Sequence, residues 1–388
     1  MTTPYWLING TTGQLDISTD VLVVGGGYVG LSTAFWLTEL RPDLKITVLD
    51  RSHCGAGASG RNAGFLTIGS ASFYKGLCER WGLEKAKKVQ SFARESLELL
   101  HRNILNKSNE LEFERTGSLT LFQSPHQLEK WEKDQFNPHD FDFVWQERGL
   151  LPLALQPKFY GALAAGPEFK IDPMKLIRIL KKNLESRNVQ MVEGTSAFEV
   201  THEGVKTEAN LIRAKQIVLA MNGYFPQFHQ TFKNSITPMR AQMLAVEFKG
   251  SLDCPHLYYD PPQRVYWRKT EAQVMIIGGK RLLDENGEVG DFDKNSPLIQ
   301  DGLEIYLKEQ LGLNYRVLRR WSGTMGFTEH ELPLVGRVDA PIETYMIGGF
   351  SGHGMGLGFR SGLDAAELIL GIKKESFFSQ FKNMSFKI

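Results

Sequence analysis

Gly25, Gly27 and Gly30 stand at the spacing G-x-G-x-x-G, and Asp50 follows Gly30 by twenty residues. Glycines so spaced suit the grip of a dinucleotide. Gly25 permits a tight turn, Gly27 lets a pyrophosphate approach the backbone, and Gly30 lets a helix pack closely on a sheet. A carboxylate at Asp50, with Arg51 beside it, accepts hydrogen bonds from a ribose diol and repels a 2′-phosphate. A second cluster runs from His53 to Gly64 and contains Ser59, Arg61, Asn62 and Ala63. Its small residues let the backbone lie against a flat ring, and its polar residues can donate to phosphates or ring oxygens. Taken alone, this segment reads equally well as a surface loop.

Elements able to position these residues flank them. Val21–Val24 is a short β-branched run, suited to a strand buried on both faces. Leu31, Ala34, Phe35 and Leu37 give the next segment an apolar helical face. The N-terminus of that helix offers free N–H groups and a positive dipole end. Ile46–Leu49 is a second strand ending at Asp50. Near the C-terminus, Tyr345–Gly356 reads as strand, glycine-rich turn and helix start, with Gly349, Gly352, His353, Gly354 and Met355 in the turn. The helix continues with Leu363, Ala366 and Leu370 on one face. Two such turns at opposite ends of the chain favour a flavin dinucleotide over a nicotinamide one. The second helix N-terminus suits the N1–C2=O edge of the ring, where charge collects on reduction.

These residues carry a resemblance. The chain is similar to the FAD-dependent amine and amino-acid oxidoreductases of the D-amino-acid oxidase/glycine oxidase superfamily, and within it to the branch containing γ-glutamylputrescine oxidoreductase. The likeness lies in Pro4-Tyr5-Trp6-Leu7, in Gly25-Gly26-Gly27-Tyr28 with Gly30-Leu31-Ser32, in Gly57–Asn62, and in Gly349–Gly354. It extends over nearly the whole chain. It implies an α/β (α+β overall) architecture, with a discontinuous Rossmann-like FAD-binding domain and an inserted antiparallel-sheet substrate domain. The expected segments are 1–76, 150–235 and 318–388 for the first, and 77–149 and 236–317 for the second. The resemblance further implies non-covalent FAD, backbone contact to adenine at Ala197, and a crossing near the cofactor at Asn222. It also implies a small amine or amino-acid substrate, with O2 or an electron carrier as acceptor. One departure bears on the acceptor. Some oxidases of this superfamily carry a lysine just before the glycine of the strand read here as Val274–Gly278, and it helps reduced flavin react with oxygen. This chain has Ile276 and Ile277 there.

The chain has 388 residues, enough for two domains with sizeable cores. Its net charge is +1 with mixed signs throughout, so no nucleic-acid footprint is present. Cys54, Cys78 and Cys254 are widely spaced and form neither a metal motif nor a disulfide framework. Glycosylation-type tripeptides at Asn9, Asn106 and Asn383 mean little without a secretory signal, and residues 1–19 hold none. No apolar run reaches the ~20 residues needed to span a bilayer. The expectation is a soluble, cytoplasmic protein without an integral membrane segment.

Elsewhere, Leu83–Asn106 has the periodicity of a long helix, and Asp172-Pro173 is a helix start. Ile236–Phe248, Arg264–Lys269 and Gln273–Gly279 read as antiparallel strands. No catalytic triad or metal cluster stands out, and a flavin needs neither, because it carries the hard step itself. Positioning groups are expected on the second sheet: Arg240 with Gln242, then Tyr258, Tyr259, Tyr266 and Arg268. An arginine there can hold a substrate carboxylate bidentately. Tyr266 and Arg268 share a strand face by alternation. His353 is expected near the flavin's pyrimidine edge. Two other classes stay open on sequence: a protein retaining FAD as a structural element, and a nucleoside-modifying module, which the near-neutral charge disfavours.

Overall fold

The computed structural model describes residues 17–108, 110, 113–134, 136–166, 168–208, 210–381 and 386–388. The Pro4–Leu7 motif and the tripeptides beginning at Asn9 and Asn383 lie wholly or partly outside them. Three sheets organise these residues.

The first sheet has eight strands. Ser18–Val24 sits at its centre, parallel to Ile46–Leu49 on one side and to Leu211–Leu219 on the other. Glu343–Gly348 joins parallel to Leu211–Leu219. Such strands are covered on both faces, which is why Val21–Val24 and Ile46–Leu49 are buried at every position with no alternation. Helix Tyr28–Leu40 packs against the C-terminal helix Gly354–Ile369 on one face. Gly362 permits the close approach, since a Cβ there would stand 2.8 Å from Ser32. Both helices begin at the carboxyl ends of parallel strands, where ligands of open α/β sheets bind.

The second sheet also has eight strands, in the order Tyr315–Phe327, Thr237–Phe248, Val274–Gly279, Val265–Lys269, Leu257–Asp260, Ser118–Phe122, Gly161–Ala165 and Val144–Glu147. The pairings are antiparallel except that of Leu257–Asp260 with Ser118–Phe122. Helix Pro297–Glu309, which the sequence reading left unassigned, covers one face through Leu303, Tyr306 and Leu307. Two strands cross the expected segment limits. Gly161–Ala165 and Tyr315–Phe327 pair within this second sheet, although 150–235 and the stretch from 318 were expected in the first domain. Alternation is weak in both segments, so neither announced its sheet.

The third sheet, of three short strands, ties the His53–Gly64 region to Phe169–Ile171 and Phe113–Arg115. The long helix spans Leu83–Asn103 and ends in a 3-10 turn over Leu105–Lys107. Asp172 caps helix Pro173–Glu185 by accepting from the backbone N–H groups of Met174 and Lys175. Among the described residues, no helix is long and apolar enough to cross a membrane, and no cluster of ligating side chains is suited to a metal ion.

Candidate FAD and substrate site

One cavity of about 1450 Å³ runs from the first glycine turn to the face of the second sheet. At its first end stand Gly25, Gly27, Tyr28, Asp50, Arg51, Ser59 and Ala197. Gly25 has φ +115°, and a Cβ there would stand 2.5 Å from the Ala220 carbonyl oxygen, so only glycine fits. Gly27 caps helix Tyr28–Leu40 with no side-chain bond, and no acid occupies the first turn. The helix therefore turns its positive end to the cavity, with only its first N–H, that of Tyr28, taken by a side chain. Ser59 Oγ accepts from the Tyr28 backbone N–H at 2.8 Å, drawing the second glycine cluster against the first. Asp50 accepts from the backbone N–H groups of Gly26 and Ser52, both at 2.8 Å, and burial pushes its carboxyl above the usual range. Arg51 stacks on Tyr224 at 4.0 Å and donates to Gln227.

The middle of the cavity is edged by Arg61, Asn62, Ala63 and Asn222. Asn62 is spent on its own loop: Nδ2 donates to the Ser59 carbonyl and Oδ1 accepts from Gly64 N–H, at 2.8 and 2.7 Å. Arg61 donates to the Ala56 and Ser322 carbonyls and pairs with Asp293 at 2.8 Å. Asn222 sits at φ +46°, and its Oδ1 accepts from the Gly349 backbone N–H at 3.0 Å. It thereby couples the end of one parallel strand to the C-terminal turn.

That turn forms the next wall, with Gly352, His353, Gly354 and Met355 lining the cavity. His353 caps helix Gly354–Ile369 without a side-chain bond. Its ring stacks on Phe73 at 3.7 Å, and Nδ1 lies 3.0 Å from the Ser351 carbonyl. A carbonyl only accepts, so Nδ1 carries the proton and Nε2 is left as an acceptor. Burial holds the imidazole down to about 4, and it stays neutral at physiological pH.

The far wall comes from the second sheet. Ala241, Met243, Tyr259, Tyr266, Met325 and Phe327 line it, together with Arg264 and Arg281. Gly278 makes room, since a Cβ there would collide with Met243 Sδ and the Tyr266 ring. Tyr266 donates to Met243 Sδ at 3.3 Å, and burial pushes its hydroxyl up to about 12.

Six expected contact residues do not line the cavity. Ala241 and Met243 face it, so by strand alternation Arg240 and Gln242 face the other way. There Arg240, 2% exposed, lies 3.6 Å from Glu288, and Gln242 donates to the same carboxylate at 2.9 Å. Arg268 shares the Tyr266 face but lies further along the strand, where its Nη2 donates to the Ile171 carbonyl at 2.7 Å and its Nε to the Ala63 carbonyl. It clasps the second sheet onto the glycine-rich loop. Gly30 serves packing alone, because a Cβ there would stand 1.9 Å from the Gly25 carbonyl oxygen. Gly64 lies against the Ile171 carbonyl, and Gly349, at φ +73°, against Thr328. Arg281 was missed. Lys280 at φ +59° turns its amine to Gln263, and the same turn sends Arg281 into the cavity.

The parallel sheet, the two helix ends and the cavity joining them to a second, mostly antiparallel sheet suit a flavoprotein. The family model described as DAO, FAD dependent oxidoreductase, matches residues 20–368, and the chain belongs to that family. It is an FAD-dependent oxidoreductase. It is 26% identical to gamma-glutamylputrescine oxidoreductase of Escherichia coli K12 over 95% of this chain and 87% of that one. To the probable oxidoreductase OrdL of Rhizobium meliloti it is 26% identical over 92% of this chain and 84% of that one. Among solved structures it resembles L-proline dehydrogenase from P. horikoshii, with TM-score 0.76 and 18% identity over 95% of this chain and 97% of that one. The likeness to glycine oxidase from Bacillus cereus gives TM-score 0.73 and 18% identity over 94% and 98%.

Proposed function

We propose that this protein oxidises the C–N bond of a small amine or amino acid. The observation that carries the reading is the continuity of the cavity from the two uncapped helix ends to a wall of Tyr259, Tyr266, Arg281 and Phe327. The names of the relatives, which include gamma-glutamylputrescine oxidoreductase and glycine oxidase, support it. The first helix end, with Gly27 and Asp50, would hold the dinucleotide's pyrophosphate and ribose, and the turn at Gly352–Met355 would face the ring. FAD held there would supply the acceptor for the substrate's Cα–H, taken as hydride at N5, and leave an imine for water to hydrolyse. The chain's own work is placement. Tyr266 and Met243 shape a flat wall, and His353, stacked on Phe73 and kept neutral by burial, stands beside the helix end, where an imidazolium would oppose the dipole.

A second reading concerns the acceptor. Lys280 is directed at Gln263 and the Tyr306 ring, and Ile277 is buried in the sheet, so neither position offers an ammonium to the cavity. This favours delivery of electrons to a carrier over rapid reaction with O2. Both readings are tested by following the oxidised-flavin band anaerobically while adding pooled polyamine derivatives, N-methyl amino acids and D-amino acids. Bleaching by one pool supports amine oxidation, and rapid reoxidation by a dye with slow reoxidation by air supports the carrier. A yellow protein that no pool bleaches refutes the proposal.

A further inference from the structure

Glu168 is completely buried and stands just behind the cavity without lining it. Its Oε1 accepts from the Ile68 backbone N–H at 2.9 Å, while Oε2 is buried with no hydrogen-bond partner. Among the described residues it has no ion-pair partner. The titratable and charged groups that face it are Tyr74 and Arg94. Tyr74 spends its O–H on the Ile68 carbonyl, and Arg94 is paired with Asp142 at 3.0 Å. The charged form of a carboxyl so placed is costly. Burial therefore pushes the group up to about 7, where it can take up and release a proton near physiological pH.

A row of hydroxyls connects this carboxyl to the cavity. Ser118 lines the cavity, and its hydroxyl lies close enough to the carboxyl to favour the charged form. Thr120 follows two residues along the same strand, on the same face, and also lines the cavity. In the sheet Thr120 stands beside Tyr259, and Tyr259 beside Tyr266. Ser72 hydrogen-bonds Tyr259, and its Oγ lies 3.0 Å from that of Ser70. Each of these hydroxyls can both donate and accept, so the row can pass a proton where an apolar wall cannot. Residues two apart on a strand are about 7 Å apart, a gap that one cavity water bridges.

We propose that Glu168, acting through Ser118 and Thr120, accepts the proton that a substrate ammonium must shed before its C–H can leave as hydride. This rests on the amine-oxidising reading above. In this step an N–H bond breaks and its electron pair stays on nitrogen. The proton passes along the hydroxyls, each giving up one proton and taking another, and ends on Glu168 as a carboxylic acid. Nothing is oxidised or reduced in the transfer. The freed lone pair is the one that becomes the second bond of the imine. Glu168 touches no substrate, so it is a positioning residue that works through the hydroxyl row.

The test uses the yellow holoenzyme and Glu168→Gln, which keeps the shape of the side chain but cannot take up the proton. The infrared C=O band of a protonated carboxyl should be present at pH 5, vanish through about pH 7, and be missing from the variant. On transfer into D2O the band should shift within the mixing time, and slowly in Ser118→Ala. A wild-type protein without the band, or with a band that exchanges only as slowly as buried backbone amides, overturns the proposal. Anaerobic flavin reduction is then followed from pH 5 to pH 9 with sarcosine, D-alanine and N-acetylputrescine, one member of each pool. The wild-type rate should rise through about pH 7. Glu168→Gln should lose that rise and run about 100-fold slower at pH 8. A profile that the substitution leaves unchanged, or lowers equally at every pH, overturns the proposal and leaves amine oxidation standing. Should Glu168→Gln lose its flavin, Ser118→Ala takes its place. The same loss of the rise is expected there, with rescue by Ser118→Thr, and an unchanged profile again overturns the idea. Failure of every pooled amine to reduce the flavin removes the reading beneath and this proposal with it.

Discussion

Substituting alanine at Gly30 and at Gly27, three residues apart, should produce two different defects. At Gly30 the added Cβ would lie 1.9 Å from the carbonyl oxygen of Gly25, which is backbone and has nowhere to go. Ordinary contact needs about 3.5 Å, so the helix must lift by roughly 1.5 Å from the strand. That helix buries Leu31, Ala34, Phe35 and Leu37 completely, and the shift reaches all of them. Overpacking of this kind costs about 1–3 kcal/mol, and rigid backbone places Gly30→Ala at or above the upper end. At Gly27 the backbone is extended (φ −76°, ψ 176°), and the nearest atom to a new Cβ is Ser59 Oγ at 3.0 Å. Ser59 Oγ, held by the Tyr28 N–H, must give by a few tenths of an ångström, so Gly27→Ala should cost the folded apoprotein about 0.5–1 kcal/mol, less than Gly30→Ala. The methyl group would nevertheless stand where the pyrophosphate must approach. The assay is paired: thermal midpoint of the flavin-stripped protein, and FAD affinity of the same sample. Gly30→Ala should lower the midpoint by several degrees and lose FAD as well, whereas Gly27→Ala should lose FAD with a much smaller change in the midpoint. Equal destabilisation by both variants, or full FAD affinity in Gly27→Ala, would refute the division of labour between these glycines.

Three further outcomes are expected. Glu168 is fully buried with Oε2 unpartnered, and burial pushes its carboxyl up to about 7. The folded state then holds a proton that the unfolded state releases near the ordinary carboxylate value, so stability is full at low pH and falls as pH rises toward 7. Glu168→Gln should remove that slope, worth about 2–3 kcal/mol, in denaturation midpoints compared at pH 5 and pH 8; an unchanged slope counts against it. His353 behaves oppositely. With its folded value depressed to about 4, its contribution is full above the ordinary imidazole value and is lost as pH falls toward 4. His353→Asn should flatten that acid limb, and an NMR titration should show no protonation of this ring near pH 6.5; a midpoint there would refute the burial argument. Glu288→Ala leaves the Arg240 guanidinium buried without its carboxylate and should destabilise by about 3–5 kcal/mol, read by chemical denaturation; a loss below about 1 kcal/mol would show the pair to be solvated.

The dinucleotide end was legible because its requirements are local. A left-handed turn at Gly25, an uncapped helix at Gly27 and a helix–strand contact at Gly30 lie within a few residues of one another and are written as glycines. Even so, the sequence did not separate contact from packing. Gly30, Gly64 and Gly349 each face backbone or a neighbouring side chain rather than the cavity. A glycine marks a close approach, and only the fold reveals whether the approaching group is ligand or chain.

The cavity wall on the second sheet was hidden for a different reason. A strand's side chains alternate, so moving the register by one residue exchanges the wall for the core. Arg240 and Gln242 have the chemistry of a binding pair, but the pairing of Ala241 with Gly323 and of Met243 with Gly278 turns them to the helix side, where Arg240 meets Glu288 and Gln242 meets Glu288 and Gln300. Arg268 has the right face but sits where the strand meets the Ala63 and Ile171 carbonyls, and its donors are used there. Arg281 belongs to no strand, and its direction follows from the left-handed residue before it. Of these three arginines, the two the sequence singled out are engaged away from the cavity, Arg240 through Nη2 by Glu288 and Gly287 and Arg268 by backbone carbonyls, and the one it overlooked lines the cavity. The direction a side chain takes from the fold is thus a better guide to a ligand than residue type on a strand, because Arg240 keeps two unpartnered N–H groups and yet faces away from the cavity.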